Sequence, residues 1–190
     1  MFRYKHRLVA CLLMISVSGL CAASAGYAQE QQEAAVQTQE EPAYSYSEID
    51  PNLYEGVWLS FDPGFDLYLP SDWYELPVSA EDEAQGSIYQ CGPDQKGESG
   101  CLYFQQNQRY NQSLETFEEA FADYGCTDFS YASANGIRFL EYENPQMDTR
   151  GLTFIMPDGK LYSLLLSPSS DEEFSRIWEN VKRSLSPSSE

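Results

Sequence analysis

Short stretches of alternating apolar and polar residues, separated by turn residues, dominate the chain from about residue 53 onward. Residues 57–61 and 65–69 flank the turn sequence DPG, and the segments SIYQC and CLYFQQN flank a polar stretch between Cys91 and Cys101. Alternation with a period of two is typical of strands that bury one face. The pattern therefore predicts two antiparallel hairpins in the first half of the domain.

Two more hairpins are predicted in the second half of the chain. Asn135-Gly136 lies between apolar runs and is a strong signal for a two-residue hairpin turn, and Asp158-Gly159 occupies the same position in the next pair of runs. Residues 161–167 read LYSLLLS, which is apolar in both of its alternating sets. This pattern predicts a central strand that is covered on both faces.

Two segments carry the three-to-four spacing of amphipathic helices. The first is SLETFEEAFADYG, residues 113–125, with Ser113 as the expected N-cap. The second is SSDEEFSRIWENVKRSL, residues 169–185, in which Ser170 and Glu173 match a capping box. We therefore expect one helix between the two pairs of hairpins and one helix closing the domain.

The order of these elements predicts an α+β fold, in which an antiparallel β-sheet of about six strands is layered with two principal α-helices. We expect a single domain over residues 53–186, followed by a frayed tail at residues 187–190. Residues 29–52 are rich in Gln and Glu with little to bury. This composition is typical of a disordered leader.

The N-terminal residues show the three-part pattern of a secretory signal peptide. The basic segment MFRYKHR precedes the apolar LVACLLMISV and then small residues up to Ala28. We expect residues 1–28 to be cleaved near Ala28, with Ala25 as the alternative site, and the protein to be periplasmic or extracellular. The apolar stretch is short for a bilayer span, so we expect no stable membrane span after cleavage; a retained anchor is the alternative.

Removal of residues 1–28 leaves 8 basic and 30 acidic residues, a formal net charge of 8 − 30 = −22. The only histidine, His6, is removed with them. A chain without imidazole lacks Ser-His and Cys-His nucleophilic sites and His-ligated zinc. The acidic charge repels nucleic acid and favours cationic partners.

Three cysteines follow the signal peptide, and their spacing suits a structural role. Strand positions facing each other across a hairpin, in an exported protein, predict a Cys91–Cys101 disulfide. Closing this 11-residue ring contributes about 2.5–3 kcal/mol in the chain-entropy model. We expect Cys126 to be free and buried, and its pairing with Cys91 or Cys101 is the alternative. Neither zinc-knuckle nor C-x-x-C spacing occurs after residue 28, so we expect no metal and no cofactor.

Aromatic residues are abundant in the first part of the domain, and they are the candidate binding residues. Exposed Trp and Tyr side chains suit contacts with sugar rings or with protein partners. The expected binding surface consists of Tyr54, Trp58, Trp73 and Tyr74. For Trp73, which follows Leu69-Pro70, a place in the core is the alternative.

The stretches GFDLYLPSDWYEL, SLETFEEAFADYG, NGIRFLEYE and DGKLYSLLLSPSSDEEFSRIWENVKRSL together resemble the superfamily of PsbP-like and Mog-like domains. The resemblance covers about residues 61–185. It implies an antiparallel sheet between helices, a PsbP-like α/β/α sandwich. It also implies a non-catalytic binding domain, because members of this superfamily are binding and accessory subunits.

The function predicted from the sequence is an exported, non-catalytic binding or accessory domain that recognises a protein or an envelope polymer. The alternative is a carboxylate-dependent hydrolase that acts on an extracytoplasmic substrate. Acidic residues are numerous, but no spacing among them identifies the pair of carboxylates that a glycosidase needs. We therefore name no catalytic residue.

Overall fold

The computed structural model describes residues 41–107 and 113–188. The predicted signal peptide and residues 29–40 of the predicted leader lie outside the described residues. Within the described ranges, no helix has the length and apolar character needed to cross a membrane.

The described residues form eleven strands, three α-helices and one short 3-10 helix, Tyr46–Glu48. The strands are β1 (Ala43–Tyr44), β2 (Gly56–Phe61), β3 (Phe65–Pro70), β4 (Tyr74–Glu75), β5 (Ser87–Gly92), β6 (Cys101–Asn107), β7 (Thr127–Ala134), β8 (Ile137–Asn144), β9 (Thr149–Ile155), β10 (Leu161–Ser167) and β11 (Ser186–Pro187). The helices are α1 (Ala80–Ala84), α2 (Leu114–Ala122) and α3 (Glu172–Ser184).

These strands form two sheets, so the predicted fold class is wrong. The larger sheet has eight strands in the order β1-β7-β8-β9-β10-β6-β5-β4, and the smaller has three in the order β11-β3-β2. The larger sheet is mixed, because β1 pairs with β7 in parallel. A single antiparallel sheet of about six strands with two principal helices, the expected α/β/α sandwich, is therefore replaced by a two-sheet, strand-rich domain.

Two physical causes explain the error. Strands β1, β4 and β11 have two residues each, which is too short for any periodic pattern to mark them. The hairpin of β2 and β3 looks locally like every other hairpin in the chain. Only long-range pairing distinguishes it: among the described strands it pairs with none of the larger sheet, and its third strand is β11, which is more than 100 residues away in sequence.

The predicted hairpins themselves are confirmed. Asn135 and Gly136 have φ values of 48° and 90° and form the turn between β7 and β8, as a two-residue turn of this type requires. Strand β10 lies between β9 and β6, inside the larger sheet. Its residues are buried on both faces along most of its length, as the LYSLLLS pattern predicted.

Helix α2 begins as predicted, whereas α3 does not. The Ser113 hydroxyl accepts a hydrogen bond from the backbone N–H of Thr116 at 3.2 Å, which caps α2. The N-cap of α3 is Asp171, whose carboxylate accepts from the backbone of Glu173 and Phe174. Ser170, the expected cap, instead donates its hydroxyl to Asp148 at 2.7 Å.

The larger sheet buries both faces. One face packs against α3 and the smaller sheet, in a core that includes Phe65, Phe104 and Trp178. The other face packs under α2, in a second cluster built around Phe117 and Tyr142. The hydrophobic core therefore couples the smaller sheet, which carries the predicted binding residue Trp58, to α3 and to the central strands of the larger sheet.

Residues on both sides of the predicted range of 53–186 form hydrogen bonds with the domain. Asp50 and Asn180 exchange two hydrogen bonds, from Asp50 N–H to Asn180 Oδ1 at 3.0 Å and from Asn180 Nδ2 to Asp50 O at 2.9 Å. At the other end, the Ser188 hydroxyl donates to Asp66 at 2.6 Å. Asp50, which precedes the predicted domain, and Ser188, in the predicted tail, therefore contact the domain.

Candidate functional site

Three aromatic side chains lie together at the hairpin of β2 and β3, two from its strands and one from the segment before β2. Trp58 faces Tyr68 across the two strands, and their ring centroids are 5.5 Å apart at an interplanar angle of 51°. Tyr54 stacks on Tyr68, with centroids 5.5 Å apart and an angle of 20°. We call these three residues, Tyr54, Trp58 and Tyr68, the aromatic surface.

Backbone contacts hold the Tyr68 ring in the middle of this surface. The Tyr68 hydroxyl accepts a hydrogen bond from the N–H of Gly56 at 2.9 Å, and the Tyr54 hydroxyl donates to the carbonyl of Tyr68 at 3.0 Å. A Cβ atom at Gly56 would lie 2.5 Å from the Tyr68 ring, so only glycine fits there. The Tyr54 and Tyr68 rings are therefore fixed before any partner binds, while 49% of the Trp58 surface remains exposed.

The structure brings together only two of the four predicted surface residues. Tyr54 and Trp58 meet through Tyr68, whereas Trp73 packs against Phe174 with ring centroids 5.6 Å apart. Trp73 also borders the main core, which agrees with the alternative that we gave for it. Tyr74 is 45% exposed, but it lies in β4 at the end of the larger sheet.

Sequence reasoning missed Tyr68, although a signal for it existed. The DPG turn makes Phe61 and Phe65 partners, so counting three residues back along both strands pairs Trp58 with Tyr68. Residues that face each other on one side of an antiparallel pair are close enough for their rings to touch. The alternating pattern of each strand alone does not show this contact.

Cys91 and Cys101 do not form the disulfide that the sequence predicted. Cys91, Cys101 and Cys126 are free and buried. Cys91 lies opposite Leu102, and both side chains belong to the core on the α3 side of the sheet. Cys101 precedes Leu102 in the same strand, so its side chain points to the other face. A shift of one residue in register thus separates two thiols that we expected to face each other.

We expect all three described cysteines to react with iodoacetamide after denaturation without a reductant. In the native protein the reaction should be slow at pH 8, because burial raises the pKa of Cys91 to about 12 and that of Cys101 to about 11. Peptide mass spectrometry gives the labelled positions. Labelling of Cys91 and Cys101 only after addition of a reductant would contradict the structure and support the disulfide.

The polar segment between Cys91 and Cys101 is organised by one carboxylate. Asp94 accepts hydrogen bonds from the backbone N–H groups of Lys96, Glu98 and Ser99, at 2.8, 3.2 and 2.8 Å. These bonds lower the pKa of Asp94 well below its usual range. The carboxylate therefore serves the conformation of its own loop, and its ionised form is the one that the loop stabilises.

Other carboxylates with perturbed pKa values are shifted in the same direction. A hydrogen bond from Arg138 lowers the pKa of Glu41. Hydrogen bonds from its own backbone, from Ser113 and from Arg138 lower the pKa of Glu115. The pKa values of Asp148 and Asp158 also lie below the usual range. A general acid needs the opposite shift, so none of these groups suits that role.

An open groove of about 590 Å³ lies beside the first turn of α2. Its wall includes the apolar residues Leu114, Ile137 and Met156 and the charged residues Glu115 and Arg138. Arg138 is already engaged by Glu41 at 2.9 Å and by Glu115 at 3.1 Å. The groove therefore presents mainly apolar contacts, and its one cation is neutralised within the protein.

No group of three or more Cys, Asp or Glu side chains within residues 41–107 and 113–188 is arranged to hold a metal ion. No protein-family model matches the chain. No curated protein matches it either. The aromatic surface is consequently the feature from which a function is best argued.

Proposed function

We propose that this protein is an exported, non-catalytic binding or accessory domain that recognises a protein or an envelope polymer through the aromatic surface. The observation that carries this proposal is Trp58, which is 49% exposed yet held against Tyr68. Export rests on the signal-peptide pattern of residues 1–28. The resemblance to PsbP-like and Mog-like domains points to the same class of function and remains a prediction.

The physical basis of the proposal is the burial of exposed aromatic rings on binding. Covering an exposed indole with a partner makes the free energy of binding more favourable, and rings that are already stacked lose little conformational entropy on binding. Trp and Tyr are also the residue types most often found at the energetic centres of interfaces. Tyr54, Trp58 and Tyr68 thus combine large contact area with a preformed geometry.

The hydrolase alternative finds no support in the described carboxylates. It requires a pair of converging carboxylates, one of them with a raised pKa. Every carboxylate pKa shift described above is downward, and each has a hydrogen bond or an arginine as a cause. No observation on the described residues favours hydrolysis over binding.

We expect Trp58→Ala to weaken binding to the recognised envelope component at least tenfold, because a central aromatic contact is worth about 1.4 kcal/mol or more. The immobilised protein is incubated with an envelope extract that has been separated into protein and polysaccharide fractions. Retained components are measured by mass spectrometry and sugar analysis. Polymer length is measured before and after contact, and shortening would favour the hydrolase.

Met147→Ala is the matched control, because Met147 is also 49% exposed but lies in the loop between β8 and β9. This variant should retain the same component with unchanged affinity. If Trp58→Ala retains every component as well as the unchanged protein does, the aromatic surface is not the binding site.

A further inference from the structure

Strand β2 has a free edge within the described part of the chain. It pairs with β3 on one side only and ends the three-stranded sheet. Its six residues, GVWLSF, pair with β3 in an unbroken register, without a bulge. They also include no charged residue and no proline. Proteins normally protect an exposed edge with such devices, because the edge can pair with another strand.

The turn between β2 and β3 shows which backbone groups face the free edge. The carbonyl of Phe61 accepts a hydrogen bond from the N–H of Gly64 at 2.8 Å, so the backbone N–H and C=O groups of Phe61 point towards β3. Since direction alternates along an antiparallel strand, Trp58 and Ser60 direct their N–H and C=O groups away from β3. Among the described residues, these groups have no backbone partner outside the ladder. They are available to an extended peptide.

The acidic residues around this edge favour a positively charged peptide. Glu55, Asp62, Asp66 and Asp72 flank or belong to the hairpin, and none of them forms an ion pair with a described residue. The sequence has no lysine or arginine from residue 8 to residue 95. A second copy would place acidic hairpins against each other, at a formal net charge of −22 per chain after removal of residues 1–28. A cationic strand would be attracted instead.

We propose that the free edge of β2 binds an extended, lysine- or arginine-rich segment of a partner protein by strand addition. The partner's backbone pairs with Trp58 and Ser60, and one of its apolar side chains covers the Trp58 ring. Strand addition takes its affinity from main-chain hydrogen bonds and its selectivity from alternate side chains. This inference rests on the proposed function and specifies the partner as an extended polypeptide.

The probe is a nine-residue peptide of alternating lysine and valine, titrated while tryptophan fluorescence is recorded. Its valines present one apolar face to Trp58, and its net positive charge is opposite in sign to that of the acidic residues around the hairpin. We expect binding that weakens as salt rises, and at least tenfold weaker binding when glutamate replaces lysine. Equal binding of the lysine and glutamate peptides would overturn the charge argument and with it the proposal.

Backbone pairing is tested with two N-methylated forms of the peptide, one methylated at every valine and one at every lysine. Only one of these two sets of N–H groups can face β2 in a paired strand. Loss of binding for one form, with retention for the other, supports strand addition. An equal effect of both methylations overturns it.

Ser60→Pro removes one N–H group from the free edge, and Ser60→Ala is its matched control because it keeps that group. We expect at least tenfold weaker peptide binding by the proline variant and unchanged binding by the alanine variant. Circular dichroism checks that both are folded, and the N-methylated peptides decide the matter if the proline variant is not. A dimer of the unmodified protein that Ser60→Pro dissociates would overturn the proposal in favour of self-pairing.

The two proposals fail in different ways. If Trp58→Ala weakens retention of an envelope component while N-methylation has equal effects, strand addition is wrong and the aromatic surface still binds. If Trp58→Ala leaves both retention and peptide binding unchanged, both proposals are wrong.

Discussion

Replacing Phe65 by alanine is expected to lower the free energy of unfolding by about 3–5 kcal/mol, the range for deleting a fully buried phenylalanine ring. Phe65 is 0% exposed in β3. Its ring centroid lies 5.0 Å from that of Phe61, 4.9 Å from Phe104 and 5.1 Å from Phe154. These neighbours lie in β2, β6 and β9, so the ring connects the smaller sheet to the larger one.

Urea denaturation followed by circular dichroism measures this loss as a lower midpoint. The control is Tyr46→Ala, at a residue that is 60% exposed, which should change stability by less than about 0.5 kcal/mol. Because the two sheets share one core, a single transition is expected for the unchanged protein. A loss below about 1 kcal/mol for Phe65→Ala, or separate unfolding of the sheets, contradicts this account.

Replacing Lys182 by alanine is expected to lower the free energy of unfolding by about 3–5 kcal/mol, because it leaves a partner carboxylate uncompensated inside the protein. The Lys182 side chain is 5% exposed, and its ammonium group lies 3.0 Å from both Glu141 and Glu179. Glu141 also accepts a hydrogen bond from the Trp178 indole at 2.6 Å. Removing the lysine therefore disturbs α3, β8 and the buried tryptophan together.

The double variant Glu141→Gln/Lys182→Met separates charge from packing. Glutamine still offers an oxygen to the Trp178 indole, and methionine refills most of the lysine volume without a charge. We expect most of the lost stability to return, since a buried ion pair replaced as a whole is often neutral. If the double variant recovers less than half of the stability lost in Lys182→Ala, the uncompensated charge is not the main cause of that loss.

Lys160→Ala is the control for an exposed pair. Lys160 lies 3.6 Å from Asp158, and about a third of each side chain is exposed, so the change should cost less than about 1 kcal/mol. The loss at Lys182 should not depend on pH between 6 and 9. Burial alone lowers the pKa of Lys182, but Glu141 and Glu179 outweigh burial and hold it above its ordinary value. The stability linked to its charge is thus present below the ordinary lysine pKa and is lost only as pH rises through the raised value.

The candidate site was only partly predictable. Trp58 and Tyr54 follow from the abundance of aromatic residues in a strand-rich stretch, but that composition cannot separate them from Trp73, which packs on Phe174. The difference lies in tertiary contacts. The free edge of β2 is likewise invisible in the sequence, because a central strand and an edge strand share the same alternation when one face is buried.

The sequence by itself determined the local elements of the domain. The Asn135-Gly136 turn, the Ser113 cap of α2 and the double burial of β10 each depend on residues within a few positions of one another. Local conformational preference and side-chain alternation are sufficient to specify such features.

Only the tertiary structure decided how these elements combine. Two-residue strands such as β1 and β11 exist because distant strands supply their hydrogen-bond partners. The sheet faces of Cys91 and Cys101 depend on a register that differs by one residue from the expected one. Pairing and register are set by the shared core, since the free energy of burying one face is summed over all strands at once. No single stretch of sequence contains that sum.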